Sequence, residues 1–404
     1  MTTKPTLMGS RRGLAGTNGH ANRKLGSWID QFITFTDNLE SAPLFRRWTA
    51  ISCIAAALEQ KVYITTSDRL FPNLYTILVG HPGVGKTRTI MSGRKFLAEL
   101  PEFHIAPTSM KMASLVDALV DAKRTVIHLP NPALEFHSLM LMMDEWSAFM
   151  HVYDDELAAG LVTLYDCTIP YEQKRRGYGG IHIKIPHPQL SLLAGTTPSS
   201  LIRFMPEGAW TEGLASRLVM VYSSERFVGD DFAQVRRDLP EEMIHDLKII
   251  YSLQGEFQID ESFRHAVSAW RGGNEEPKPS HPKLTHYNTR RRAHVYKLAM
   301  VSSVDRGGGL RLTVEDFQKA LGWLSEVEGV MSEIFEEGTT SVDARVIDEI
   351  LDFIRRQGKP VPHHRLVLET SKRVPTYSVL KIIEIMRLSG RVKWSEDQHY
   401  LVND

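Results

Sequence analysis

The sequence predicts an α/β protein whose core is a parallel β-sheet with helices on both faces. Segments such as residues 73–79 and 137–143 are mainly apolar, as strands buried on both faces are. Segments with apolar residues at helical spacing alternate with them, and every return to a parallel strand needs such a crossover. A glycine-rich loop joins the first of these strands to a helix.

Length and composition predict several domains in a protein of a reducing cytoplasm. At 404 residues the chain exceeds the size at which one hydrophobic core stops growing. Its two cysteines, Cys53 and Cys167, have no neighbouring Cys or His at metal-ligand spacing, which argues against a disulfide framework and a structural zinc. The longest apolar runs are shorter than a membrane span, so no membrane partner is expected. Basic and acidic residues number 48 each, so a nucleic-acid surface would have to be local.

The order of predicted elements divides the chain into segments. Residues 1–26 have basic but no acidic residues and predict a disordered tail, either a solubilising leader or a weak nucleic-acid contact. Residues 27–60 contain two helices of a predicted N-terminal collar, and residues 61–227 contain the α/β core. Only amphipathic helices are expected after the core, so residues 228–336 are predicted to be a helical lid. A polar stretch at residues 337–340 predicts a linker.

Residues 341–404 are predicted to form a winged-helix domain. Three helical segments precede a β-ribbon at residues 391–402, which is the element order of that fold. Basic residues outnumber acidic ones between Arg355 and Lys393, which suits DNA. Winged helices also dock proteins, and both alternatives stay open.

A phosphate-binding loop (P-loop) of the GxxxxGK[ST] type is predicted at residues 80–87. Backbone N–H groups wrap a triphosphate only where the chain has little side-chain bulk and tolerates positive φ, which accounts for the three glycines. The Lys86 ammonium would reach the β- and γ-phosphates, and the Thr87 hydroxyl would ligate Mg²⁺. A chance match is expected in about one chain in a hundred of this length, and the flanking strand and helix argue against it. The residues predicted to contact ATP are Gly80, Pro82, Gly83, Val84, Gly85, Lys86 and Thr87.

Two acidic residues, Asp144 and Glu145, come directly after a predicted buried strand. Ligands bind at the carboxyl ends of strands in open α/β sheets, so both side chains are expected near the phosphates. Asp144 is predicted to hold Mg²⁺ and Glu145 to polarise the attacking water. The alternative for such a pair is a helix N-terminus favoured by the helix dipole. The protein is therefore predicted to hydrolyse ATP to ADP and phosphate.

A predicted hairpin resembles a feature of a known class of helicases. It has a basic flank and a glycine-rich tip, Tyr171-Glu172-Gln173-Lys174-Arg175-Arg176-Gly177-Tyr178-Gly179-Gly180. This is similar to the hairpin before the sensor-1 strand in superfamily 3 and minichromosome-maintenance helicases of the AAA+ class. It is closer still to phage and prophage replication ATPases. The resemblance covers about residues 25–335 and implies an AAA+ P-loop core in a homo-oligomeric ring, a hexamer.

In those families the hairpin lines the central channel of the ring and grips single-stranded DNA. The resemblance implies that role for Lys174, Arg175 and Arg176. A groove of this kind binds the phosphate backbone with cations and stacks bases on aromatic rings, and Tyr178 has such a ring. The alternative is a solvated hairpin tip whose charges aid solubility.

Three further assignments follow from the same resemblance. Arg217 precedes an apolar strand, as the arginine finger of these helicases does, and would reach the γ-phosphate held by a neighbouring subunit. The alternative is a surface salt bridge. Arg291 is chosen from three consecutive arginines as the sensor-2 residue, with a basic helix face as the alternative. Thr196 and Thr197 occupy the sensor-1 position, where relatives usually carry an amide, so that assignment is open.

The resemblance implies an ATP-dependent motor that translocates on DNA, as a phage-type replicative helicase does. The compartment would be the cytoplasm, that of a bacterial host if a phage encodes the chain. No primase or polymerase segment is recognisable, so a separate protein would supply priming. One alternative is a helicase loader or replication initiator that uses ATP to assemble on DNA or a partner without unwinding. Another is a partner-binding protein with an inactive nucleotide site, which the intact Lys86, Thr87, Asp144 and Glu145 argue against.

Overall fold

The computed structural model describes residues 22–108, 110–126, 133–151, 154–175, 181–205, 207–211, 213–227, 238–395 and 399–402. These residues form a mixed α/β protein, as predicted, and the strands of its largest sheet are mostly parallel. The predicted basic tail up to residue 21 and the hairpin-tip residues Arg176 and Tyr178 lie outside the described residues.

The helices and strands of the described residues are numbered separately, in chain order. The α-helices are Trp28–Phe35 (α1), Pro43–Leu58 (α2), Lys86–Ala98 (α3), Met112–Asp121 (α4), Asp155–Asp166 (α5), Pro198–Phe204 (α6), Glu207–Thr211 (α7), Glu241–Ser252 (α8), Glu261–Gly272 (α9), Thr285–Asn288 (α10), Arg291–Asp305 (α11), Val314–Glu328 (α12), Glu333–Gln357 (α13), His363–Ser371 (α14) and Thr376–Leu388 (α15). The strands are Val62–Thr65 (β1), Arg69–Leu70 (β2), Tyr75–Val79 (β3), Lys123–Val126 (β4), Leu134–Met143 (β5), Tyr171–Arg175 (β6), Ile181–Ile185 (β7), Pro188–Thr196 (β8), Leu218–Tyr222 (β9), Gly255–Glu256 (β10), Gln258–Ile259 (β11), Arg311–Leu312 (β12), Val361–Pro362 (β13), Val392–Trp394 (β14) and His399–Val402 (β15).

The largest sheet has five strands in the order β4-β5-β8-β3-β9. Only the edge pair β4 and β5 is antiparallel, and the other neighbours are parallel. Every residue of β3 and β8 is buried, as expected of central strands covered on both faces. The order puts β8 between β3, which leads into the glycine-rich loop, and β5, which leads into Asp144.

Helix α2 lies in the core beside this sheet. Every residue from Trp48 to Leu58 is buried, because α2 packs against α3 and α8 as well as β3, β8 and β9. Gly93 of α3 permits a close approach, since a Cβ there would lie 2.8 Å from the Cys53 sulfur. The segment predicted as an N-terminal collar therefore contributes a central helix to this core.

The contacts divide the chain into two units. The first holds the described residues up to Thr196 and from Phe204 to Ser332, and the second holds Thr197–Arg203 and those from Glu333 onward. The prediction of a linker at residues 337–340 is wrong, because these residues lie within α13. Gly338 within this stretch permits close packing, since a Cβ there would overlap the Ile202 side chain of α6.

The region predicted to contain only helices also holds three short strands. β10 pairs in parallel with β1, and β11 pairs in parallel with β12. Each of these three strands has two residues, which is too short to show an alternating apolar pattern in the sequence.

The three helices and the β-ribbon of the second unit follow one another in the predicted order, but residues 361–362, which were predicted to be helical, form a short strand. The carboxyl-terminal part of α13 is followed by β13, α14, α15 and the ribbon β14–β15. The strands form an antiparallel sheet in the order β13-β15-β14. Its buried core includes Ile350, Leu366, Ile382, Met386 and Tyr400.

Across the residues described, no helix has both the length and the apolar composition needed to cross a membrane.

A buried carboxylate anchors the segment that leads into α1. Asp246 on α8 is fully buried and accepts hydrogen bonds from Arg23 Nε at 3.0 Å, Lys24 N at 2.8 Å and Leu25 N at 3.0 Å. The Arg23 side chain is itself only 5% exposed, so its charge depends on this partner.

We expect Asp246→Ala to lower the free energy of unfolding by about 3 kcal/mol, because it leaves the buried Arg23 charge without its carboxylate. Asp30→Ala is the control: Asp30 is exposed on the first turn of α1, and its loss should cost less than about 1 kcal/mol. Urea denaturation of both variants measures the difference. Equal stabilities would contradict the anchoring role.

Candidate functional site

The glycine-rich loop follows β3 and ends where α3 begins at Lys86. Gly83 has φ of 83° and Gly85 has φ of 77°, in the left-handed region that favours glycine. A Cβ at Gly83 would meet nothing within 4 Å, so this side of the loop is open to a ligand. A Cβ at Gly85 would overlap the Glu40 carbonyl, because the chain between α1 and α2 lies against the loop.

Lys86 is buried at the base of this loop. Its Nζ donates to the carbonyl oxygens of Gly80 at 2.7 Å and His81 at 2.9 Å. Burial lowers the pKa of Lys86 to about 8, and the nearby Glu145 carboxylate partly opposes that shift. The ammonium therefore contacts the loop, and the acidic residue predicted to activate water is close enough to act on its charge.

Glu145 is held by hydroxyl groups from two directions. Its Oε1 accepts from the Thr196 hydroxyl at 3.3 Å and from the Ser147 hydroxyl at 3.2 Å. The neighbouring Asp144 is exposed. Nothing in the sequence distinguished Ser147 from other serines, because its contact depends on the short 3₁₀ turn that follows Glu145.

Thr196 joins the loop to the acidic pair. Its carbonyl accepts from Gly80 N at 3.1 Å, and its hydroxyl contacts Glu145. The next residue, Thr197, has a different role: its hydroxyl accepts from Ser200 N at 3.2 Å and so caps α6. Of the two threonines left open by the sequence, the structure brings Thr196 to Glu145.

The residues predicted to bind Mg²⁺ are Thr87 and Asp144. Thr87 and Asp144 are both exposed and offer the oxygen ligands that Mg²⁺ prefers. Within the part of the chain that the structure describes, no group of three or more His, Cys, Asp or Glu could hold a metal ion. A metal here would therefore need nucleotide oxygens to complete its coordination, as is usual for Mg²⁺ in phosphate sites.

Arg217 lies near the amino-terminal end of β3, whereas the glycine-rich loop follows the carboxyl-terminal end of that strand. It precedes β9, whose first residue, Leu218, pairs with Tyr75 at the start of β3, whereas the loop follows Val79 at its end. These two ends of β3 are about 13 Å apart, at about 3.3 Å per residue. Arg217 is buried, and its guanidinium pairs with Asp166 at 2.6 Å. The sequence offered a surface salt bridge as the alternative role of Arg217. A salt bridge is present, but Arg217 is buried and not at the surface.

The three consecutive arginines have different partners. Arg290 donates to Asp166 at 2.9 Å and so shares that carboxylate with Arg217. Arg291 is fully buried and makes two hydrogen bonds of 2.7 Å to the carboxylate of Glu328. The structure thus brings Arg290, and not Arg291, to Arg217.

A buried polar cluster on α11 packs against the residues that precede β3 and β9. The sequence did not single out this cluster. The Lys297 ammonium donates to the Asn73 backbone and side-chain oxygens at 2.8 and 2.7 Å and lies 3.9 Å from the Tyr165 ring centre. Burial lowers the pKa of Lys297 to about 7. His294 Nε2 lies 3.0 Å from the Ser216 carbonyl and must donate to it, and burial lowers the pKa of His294 to about 3.

The hairpin of β6 and β7 is antiparallel and leads directly into β8, as predicted. Lys174 is exposed and pairs in register with His182. Glu172 lies on the same hairpin and makes an ion pair with Lys184 at 2.8 Å, and the hydrogen bond from Lys184 lowers the pKa of Glu172. The Arg175 side chain, like the tip, lies outside the described residues.

No protein-family model matches the chain, and no curated protein matches it significantly. The helicase family therefore remains a prediction from the residues.

The buried Lys297 gives the stability of the protein a specific pH dependence. Its pKa is lowered in the folded state, so the unfolded chain binds more protons between about pH 7 and the ordinary lysine range. The free energy of unfolding should therefore rise with pH in that window, by up to about 1.4 kcal/mol per pH unit from this group.

Lys297→Met is expected to remove that contribution, and urea denaturation at several pH values measures it. Lys111→Ala removes an exposed lysine and should leave the slope unchanged. If the free energy of unfolding changes equally with pH in Lys297→Met and in the unaltered protein, Lys297 stays charged in the folded state.

Proposed function

We propose that this protein is a P-loop ATPase of the AAA+ class that moves on single-stranded DNA as a replicative helicase of the phage type. The observation that carries the proposal is the position of Thr196 between the glycine-rich loop and Glu145. A residue in this position contacts the group that would bind phosphate and the group that would activate water. The strand order supports the same conclusion, because β8 separates β3 from β5.

In the proposed reaction, Lys86 exchanges its contacts with the Gly80 and His81 carbonyls for phosphate oxygens. Glu145 orients the attacking water and accepts its proton, and the Thr196 and Ser147 hydroxyls hold the carboxylate in place. Mg²⁺, held by Thr87 and Asp144, would supply charge stabilisation for the terminal phosphate.

An arginine-finger role for Arg217 would require action between subunits. Arg217 lies about 13 Å along β3 from the end of the sheet that carries its own loop, so a finger would have to act on a phosphate bound by a neighbouring copy. To do so it would have to leave Asp166. Arg290 would then keep that carboxylate paired, which lowers the cost of releasing Arg217. A ring of like subunits, a hexamer in the resembled class, is therefore part of the proposal.

The hairpin supports a link between hydrolysis and DNA. It joins the amino end of β8, and Thr196 is the last residue of the same strand. A shift of Thr196 when the phosphate leaves would therefore pass along β8 to β7, whose His182 pairs in register with Lys174 of β6. Exposed cations of this kind bind the DNA backbone without regard to sequence.

The second unit has the element order of a winged helix, and we include that fold in the proposal. The exposed side of α15 carries Tyr377, Leu380 and Lys381. Arg387 on the same helix is paired with Glu384 at 2.7 Å. Contact with DNA and contact with a protein both remain predictions for this unit.

Lys86→Ala is expected to abolish ATP binding at the glycine-rich loop, and with it ATP hydrolysis, because the loop loses the ammonium that neutralises the phosphates. Glu145→Gln should retain binding and lower kcat by about 10²-fold to 10⁴-fold, the usual effect of removing a general base. Thr196→Ala should lower kcat more than Thr197→Ala. Phosphate release and equilibrium ATP binding measure these effects. Hydrolysis that survives in Lys86→Ala would contradict the site assignment.

The helicase and loader alternatives differ in strand displacement. We expect the protein to unwind a forked duplex, and Lys174→Ala/Arg175→Ala/Arg176→Ala to keep basal hydrolysis while losing DNA stimulation and unwinding. DNA-stimulated hydrolysis without unwinding in the unaltered protein would favour the loader or initiator. Normal unwinding by the triple variant would exclude the hairpin as the DNA grip.

A further inference from the structure

A cavity of about 350 Å³ lies on the first unit, and none of its lining residues belongs to the glycine-rich loop or the acidic pair. Its walls come from β1, β11, α9 and α11 and from the turn after β1. The volume is within the range typical of small-molecule sites.

The floor of this cavity is apolar. Ile64, Phe263 and Val267 are buried there. Tyr296 lies beside Phe263, with ring centroids 6.2 Å apart. A flat aromatic ligand would therefore find both an apolar floor and a ring on which to stack.

The rim carries uncompensated positive charge. Arg264 and Arg271 line the cavity, both are exposed, and neither guanidinium has a hydrogen-bond or ion-pair partner among the described residues. None of the described residues that line the cavity carries a carboxylate. Other arginines of this region are paired, since Arg292 contacts Glu275 at 3.0 Å and Arg311 contacts Asp260 at 2.7 Å.

The spacing of these arginines suits a ligand with more than one phosphate. They are seven residues apart on α9, so they lie on one face of the helix and about 10 Å apart along its axis. A guanidinium group matches the geometry of phosphate oxygens, and Thr65 and Ser268 add hydroxyl donors to the rim.

We propose that this cavity is a second nucleotide-binding site. Arg264 and Arg271 contact phosphate groups, and Tyr296 stacks on the base. The ligand is either a free nucleotide or a nucleotide within a single DNA strand, since both have a phosphate beside an aromatic ring. This inference goes beyond the proposed ATPase, because the site shares no residue with the glycine-rich loop.

The test compares Arg264→Ala/Arg271→Ala with Lys111→Ala/Lys248→Ala in the full chain. Each variant removes two exposed positive charges, so the net charge is matched. The probe for the strand is a fluorescein-labelled oligothymidylate, with binding followed by anisotropy at several salt concentrations. If a strand occupies the cavity, the arginine variant should bind about tenfold more weakly. The slope of log affinity against log salt should fall by about 1.4, which corresponds to two phosphate contacts at about 0.7 each.

The probe for the free nucleotide is ATP, measured by equilibrium dialysis in the Lys86→Ala background. If free nucleotides occupy the cavity, Lys86→Ala still binds ATP, and the added Arg264→Ala/Arg271→Ala removes that binding. For whichever probe binds, Tyr296→Leu should weaken binding, whereas Tyr296→Phe should retain it because the ring is kept.

A loss seen only with the oligonucleotide assigns the cavity to a strand, and a loss seen only with ATP assigns it to free nucleotides. Affinities equal to those of the lysine control for both probes overturn the proposal. The result is independent of the ATPase assignment, because the arginine variant should keep basal ATP hydrolysis. If the unaltered protein hydrolyses no ATP but the arginine variant loses oligonucleotide binding, the proposed function fails while the second site stands.

Discussion

The candidate site depends on two hydrogen bonds made by Thr196. The Gly80 amide donates to the Thr196 carbonyl, and the Thr196 hydroxyl donates to Glu145. It ties the end of β8 to the loop that follows β3 and to the acidic pair that follows β5. Gly195 makes the arrangement sterically feasible, since a Cβ there would lie 2.7 Å from the Asp144 carbonyl. A parallel sheet gathers the carboxyl ends of its strands at one edge, so three distant segments supply one site.

The charged groups differ between the two ends of the parallel strands. At the carboxyl-terminal ends of the strands, Lys86 is desolvated and close to Glu145, and in the proposed function its charge would act on a phosphate group in the loop. At the amino-terminal ends of the strands, Arg217 and Arg290 share the Asp166 carboxylate, and Lys297 lies buried nearby. A carboxylate with two cationic partners loses less when one of them leaves, which is the property that a residue acting on a neighbouring subunit would need.

Neighbouring residues on α11 and at the end of β8 have unlike roles because their side chains point in different directions. Arg291 is buried and pairs with Glu328 of α12, whereas Arg290 reaches Asp166 at the end of α5. Thr196 contacts Glu145, whereas Thr197 caps a helix. Such pairs are chemically equivalent in the sequence, and only the packing of distant segments separates them.

The sequence by itself determined the buried parallel strands, the loop between β3 and α3, and the acidic pair after β5, because periodicity, glycine content and motif spacing are properties of consecutive residues. It also determined the order of the three helices and the β-ribbon in the second unit, but not the two-residue strand β13. The tertiary structure decided which threonine meets Glu145, which arginine joins Arg217, and that residues 337–340 continue a helix. These outcomes depend on contacts between residues far apart in the chain, and such contacts override local propensity because burial contributes more free energy than the preference of a single residue.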